Sequence, residues 1–113
     1  MSTELCAYIA VLLFESTAPT LPERSALYRE DITLVRGSSE TEAREEAERH
    51  ARAQESTYEA ATGDIVTLRF VQTVDVAPAL TDDLTTTADL YSRHFRGIDL
   101  YRRWEPLLDG EPL

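Results

Sequence analysis

Six side chains in this 113-residue sequence have the right types for proton transfer and for holding a charged ligand: Glu15, Tyr28, Arg69, Tyr91, Arg93 and His94. Glu15 closes an apolar run, Tyr28 opens an alternating one, and Arg69 stands between Leu68 and Phe70. The stretch LYSRHFRG, residues 90–97, gathers two arginines, one of the two histidines and two aromatics in a chain of formal charge -10. A glutamate or histidine can act as a base beside an arginine that holds a carboxylate or a developing oxyanion. Glu15 and His94 are therefore the candidate catalytic bases, His94 because an unperturbed imidazole titrates near neutrality. Arg69, Arg93, Tyr28 and Tyr91 are the candidate substrate-binding groups. Arg69 among apolar neighbours would be costly to bury alone, so Glu15 or Glu30 is expected opposite it. The same pair read plainly is a structural ion pair with no ligand.

Other chemistries find no support. His50 and His94 are far apart and there is one cysteine, so no metal-ligand spacing exists. None of the four glycines clusters with another, which removes phosphate loops and dinucleotide fingerprints. No glycine-flanked serine elbow is present. Neither a metal nor a cofactor is expected. Acidic residues outnumber basic ones by 21 to 11, so a phosphate backbone is repelled and a cationic partner is favoured. All eleven basic residues are arginine. The absence of lysine is what a GC-rich coding sequence produces, and it would also suit a protein that handles an electrophile.

These residues need elements to position them. The chain length fits one domain over residues 1–113. ELCAYIAVLLFES, residues 4–16, is almost continuously apolar and reads as a strand buried on both faces, central in its sheet or covered by a second subunit. Cys6 within it is expected to be buried and reduced. The run is too short for a membrane span and wrongly flanked for a signal peptide, so a cytoplasmic location without membrane contact is the expectation. TAPTLPERSA is a loop. LYREDITLVRG, residues 27–37, alternates Tyr28, Glu30, Ile32 and Leu34 against Arg29, Asp31, Thr33 and Val35, a second strand paired with the first. SSETEAREEAERHARAQES opens on Ser39 as a helix cap, with Glu42 placed to reach back in a capping box. Its stripe of Ala43, Ala47 and Ala51 requires close approach to a sheet. A short strand at Thr57–Tyr58, a turn at Thr62–Asp64 and a long strand at Ile65–Val76 follow. Strict alternation puts Thr67, Arg69, Val71 and Thr73 on one face of that strand. LYSRHFRG reads either as a helix that lines up Ala88, Tyr91, Phe95 and Ile98 or, by preference, as a strand with Tyr91, Arg93 and Phe95 on one face and Ser92, His94 and Arg96 on the other. The tail from Ile98 reads as a short amphipathic helix ending before Pro106, with Ile98, Tyr101, Trp104 or Leu100 and Leu107 docking back.

The expected architecture is α+β: an antiparallel sheet of about four strands packed with one long α-helix and a short C-terminal helix. A single helix of small alanines cannot cover a whole sheet, which points to a homodimer.

Taken in order, LLFES at Leu12–Ser16, YREDITLV, the serine-capped acidic helix, VTLRFVQTVDV and LYSRHFR resemble a family of small bacterial proteins known as a domain of unknown function. The set also resembles the accessory proteins of cinnamycin- and duramycin-type lanthipeptide clusters that form the lysinoalanine crosslink. That resemblance implies a peptide substrate, a dehydrated and thioether-cyclised precursor, whose lysine amine adds to dehydroalanine. In that role Glu15 and His94 would be bases and Arg69 or Arg93 would fix a carboxylate or the enolate oxygen. The other class of function consistent with the composition is a non-catalytic acidic binding or immunity-type protein that neutralises a basic partner.

Overall fold

The computed structural model of the chain describes residues 4–19 and 26–105. Four strands and two helices follow in the order β1 (Cys6–Thr17), β2 (Leu27–Gly37), α1 (Glu40–Arg52), β3 (Ser56–Glu59), β4 (Ile65–Pro78) and α2 (Ile98–Trp104). The strands form one antiparallel sheet in the order β2-β1-β4-β3. The α+β expectation holds, but α1 has 13 residues and α2 has 7, so neither helix is long.

The continuous apolar run earns its central place: β1 has a strand on each side and both its faces are covered. On one face Ala10, Leu12 and Phe14 meet Val35, Phe70 and Val76 beneath α1, whose Ala43, Ala47 and Ala51 are wholly buried. Phe14 and Phe70 tilt against each other at 5.7 Å between ring centroids. On the other face Ile9 and Val11 are also buried, outside that cluster. The segment after β4 supplies the cover. The Ala79 N–H donates to the Ala7 carbonyl, and the Tyr91 hydroxyl reaches Asp75, which stands opposite Val11. A second subunit is therefore not required to bury β1.

Close packing of α1 has a local cause. Ser39 is the N-cap and its hydroxyl accepts the Glu42 N–H at 3.1 Å. Glu42 does not complete the capping box; its carboxylate accepts instead from the Ser38 hydroxyl at 2.5 Å. The turn into the helix passes so near Gly37 that a β-carbon there would stand 2.7 Å from the Ala43 nitrogen.

Two bulges interrupt β4, between the partners of Val11 and Leu12 and of Leu13 and Phe14. Each extra residue, Val74 and Val71, flips the alternation that follows it. The face that carries Arg69 consequently continues with Gln72 and Asp75, not with Val71 and Thr73. β3 ends its pairing at Ser56 opposite Leu68, so the Phe70 N–H finds no strand partner there; Glu55, one residue before β3, takes it with Oε2 at 3.1 Å.

Three further sequence expectations fail. Residues 90–97 form no strand. They follow an irregular connection over the open side of the sheet, tied by the Leu80 N–H to the Leu90 carbonyl and by Tyr91 to Asp75, and so never lie along a strand edge. The α2 helix forms where expected but docks only through Tyr101 against Phe95; none of its residues is buried, and Ile98, Leu100 and Trp104 are all more than half exposed. Cys6 is exposed, at the first position of β1. Most of the proline-containing loop before β2, and Pro106 and Leu107, lie outside the described residues.

Candidate functional site

Cross-strand pairing builds a polar row at one end of the face opposite α1. Glu15 on β1 stands directly between Tyr28 on β2 and Arg69 on β4. The Tyr28 hydroxyl donates to Glu15 Oε2 at 2.8 Å, and Arg69 Nη2 donates to Oε1 at 3.2 Å. Both carboxylate oxygens are thereby held. The Tyr28 hydrogen bond, followed by the Arg69 hydrogen bond and charge, keeps the Glu15 carboxyl below its ordinary value of 4.5, against a smaller opposing effect of burial. The Glu15 side chain is 19% exposed and that of Arg69 is 56% exposed, so the guanidinium offers N–H groups outward while one is spent on Glu15.

The rows below it change character. Glu30, Leu13 and Gln72 come next, followed by Ile32, Val11 and Asp75, then Leu34, Ile9 and Ala77. Tyr91 closes over this face, donating its hydroxyl to Asp75 Oδ2. Burial, reinforced by the hydrogen bond and negative charge of Asp75, pushes the Tyr91 phenol up to about 12. Arg93 opposes that rise and Glu30 adds to it, which places both charges in the neighbourhood of the ring. Five of the charged or phenolic groups on this face, Glu15, Tyr28, Arg69, Asp75 and Tyr91, are thus linked in two hydrogen-bonded clusters.

His94 belongs elsewhere. With Arg93, Phe95, Arg96, Tyr101 and Trp104 it lines a groove of about 310 Å³ between the irregular segment and α2. Phe95 and Tyr101 stack there with centroids 4.9 Å apart and planes 6° from parallel. Residues 93–96 form no strand, and Arg93 and His94 share one groove and are not split between two strand faces. Glu15, Tyr28 and Arg69 do not line it. The two candidate bases accordingly occupy different places: Glu15 in the row on the sheet, His94 in the groove.

Of the residues picked out by type, the sheet brings together Glu15, Tyr28 and Arg69, and settles Glu15 over Glu30 as the arginine's partner. Asp75 is absent from the sequence-based set. The signal that singled out Arg69, a charge among apolar neighbours in a strand, applies equally to Asp75 between Val74 and Val76. Among the described residues no group of histidine, cysteine and carboxylate side chains could hold a metal ion, and no helix is long and apolar enough to cross a membrane.

A family model described as a domain of unknown function, DUF4288, matches residues 7–92, from the first strand to just beyond Tyr91. No curated protein and no solved structure matches the chain.

Proposed function

The chain belongs to the DUF4288 family, and we propose that it acts on a modified peptide, adding a lysine amine to dehydroalanine to close a lysinoalanine crosslink. The observation that carries this reading is the row Tyr28, Glu15, Arg69, a carboxylate fixed at both oxygens beside a guanidinium with free N–H groups. The net charge of -10 suits a lysine-bearing substrate.

The lowered Glu15 carboxyl defines what that residue can do. Its acidity lies far from that of a lysine ammonium, about 10.4 in the free side chain, so Glu15 does not strip the resting ammonium. It attracts and orients that group, and the small neutral fraction of the amine reacts. The amine nitrogen forms a bond to the β-carbon of dehydroalanine while the alkene electrons move onto the adjoining carbonyl oxygen. Arg69 donates to that oxygen as charge develops. The positively charged nitrogen of the adduct is far more acidic relative to the enolate, so its proton passes through Glu15 to the α-carbon. All atoms of the substrate remain in the product, and its mass is unchanged.

A second reading has its own observation. His94 and Glu15 occupy separate places, and a carboxylate held by two donors is suited to binding a cation without moving a proton. The chain would then be an acidic protein that holds a basic peptide or protein. Incubation with a dehydrated, thioether-cyclised precursor separates the two. The enzyme reading expects protease resistance and loss of fragment ions within the new ring at constant mass, at a rate above the uncatalysed background, with Arg69→Ala slowing it on the order of tenfold to a thousandfold. Binding of the precursor with no acceleration leaves the second reading in place.

A further inference from the structure

The two edges of the sheet are unlike. β3 is only 4 residues long, which is a common way to blunt an edge, whereas β2 runs for 11 residues with no proline. Among the described residues, no backbone or side-chain group bonds to the outer edge of β2 between Arg29 and Arg36. On the face of β2 opposite α1, Ile32 and Leu34 are 63% and 41% exposed. Glu30 and Arg36 flank them on the same face, and both are exposed. The order along that face is Glu30, Ile32, Leu34, Arg36, a negative charge, two aliphatic side chains and a positive charge.

That pattern is complementary to itself when reversed. We infer that a second copy of this chain pairs with β2 in antiparallel fashion about a two-fold axis beside Thr33, joining two sheets into one of eight strands. In an antiparallel ladder both side-chain direction and backbone hydrogen bonding alternate, so the axis must pass beside a residue that faces its own copy. An axis at Glu30 or Asp31 sets like charges against each other. At Ile32 it sets Glu30 against Leu34, and at Leu34 it sets Ile32 against Arg36. Only at Thr33 does Glu30 face Arg36 and Ile32 face Leu34, each twice by symmetry. Opposite charges and aliphatic pairs directly across a ladder stabilise it, and like charges there destabilise it. The interface is isologous and closed, and it satisfies the outward backbone groups of a long edge. It is independent of the peptide chemistry proposed above.

Sedimentation equilibrium of the full chain over a range of concentrations tests this, with a charge-swap cycle. The expected species has twice the 12.7 kDa protomer mass. Glu30→Arg and Arg36→Glu each place like charges opposite one another twice, and each should raise the dimer dissociation constant on the order of tenfold or more. The double swap restores both pairs and should return it to within about threefold of the original. A monomer at all concentrations overturns the proposal, and so do single swaps without effect or a double swap that does not recover. Thr33→Cys with Cys6→Ser gives a readout that needs no charge change. It should oxidise to a disulfide dimer through residue 33, and failure to do so in a chain of native helix content counts against the Thr33 axis.

Discussion

Arg69 donates from Nη2 to Glu15 Oε1 at 3.2 Å across 54 residues of sequence, from the position directly opposite on the neighbouring strand. The bond sets the orientation of the one carboxylate on this face that, among the described residues, two side chains grip. It also leaves most of the guanidinium in solvent, where a peptide carbonyl or carboxylate can reach it.

Glu15 makes stability depend on acid. Its carboxyl lies below 4.5 in the fold and returns to that range on unfolding, so the unfolded chain binds the proton more readily. The stabilisation from Tyr28 and Arg69 is therefore complete above the unfolded value and is lost as pH falls through the folded one. The melting temperature of the wild type should exceed that of Glu15→Gln near neutrality. The gap should close as the medium is taken below about pH 4.5. A gap that stays constant into acid would show that Glu15 is not held as a carboxylate by its partners.

Tyr91 should respond at the alkaline end. Its folded value of about 12 lies above the ordinary 10.0, so the stability it contributes is fully present below pH 10.0 and is lost as pH rises towards 12. Ultraviolet titration should show a late tyrosinate step near 12 that Tyr91→Phe removes. Persistence of that step in the variant would assign it to another ring.

Gly37 is required for space. A β-carbon there would meet the Ala43 nitrogen at 2.7 Å, the Ala43 α-carbon at 3.1 Å and the Ser39 carbonyl at 3.2 Å, all backbone atoms. Gly37→Ala should lift the start of α1 from the end of β2 and cost about 1–3 kcal/mol, read by urea unfolding. The same substitution at Gly63 meets nothing within 4 Å, yet its φ of +91° makes an alanine there strained for a different reason.

Ser39→Ala removes the acceptor for the Glu42 N–H, with an expected loss of about 1 kcal/mol in the same assay. Glu42→Gln should cost less, because the Glu42 side chain bonds Ser38 and does not cap the Ser39 N–H.

The sequence by itself determined every element whose signal is local. An uninterrupted apolar run made β1 central, alternation made β2, a serine cap with an alanine stripe made α1, and Ile98–Trp104 showed its short helix. It also pointed Arg69 at a carboxylate, since a guanidinium among apolar neighbours is costly to bury alone, and the fold supplies one although the Arg69 side chain stays 56% exposed. Which carboxylate it meets was decided by strand register, and register is a long-range property: Glu15 lies opposite Arg69, while Glu30 falls one row away, opposite Leu13. The two bulges in β4 likewise left no local mark, yet the first puts Gln72 on the face of Arg69 in place of Val71 and Thr73, and the second returns Asp75 to that face. LYSRHFRG was misread because tyrosine, phenylalanine and a closing glycine suit a strand, whereas a strand exists only if an edge is offered to it. Here the stretch runs past the sheet and leaves the edge of β2 open. Tertiary structure alone therefore separated His94 from Glu15 and joined Glu15 to Tyr28 and Arg69, because both outcomes depend on which strands become neighbours.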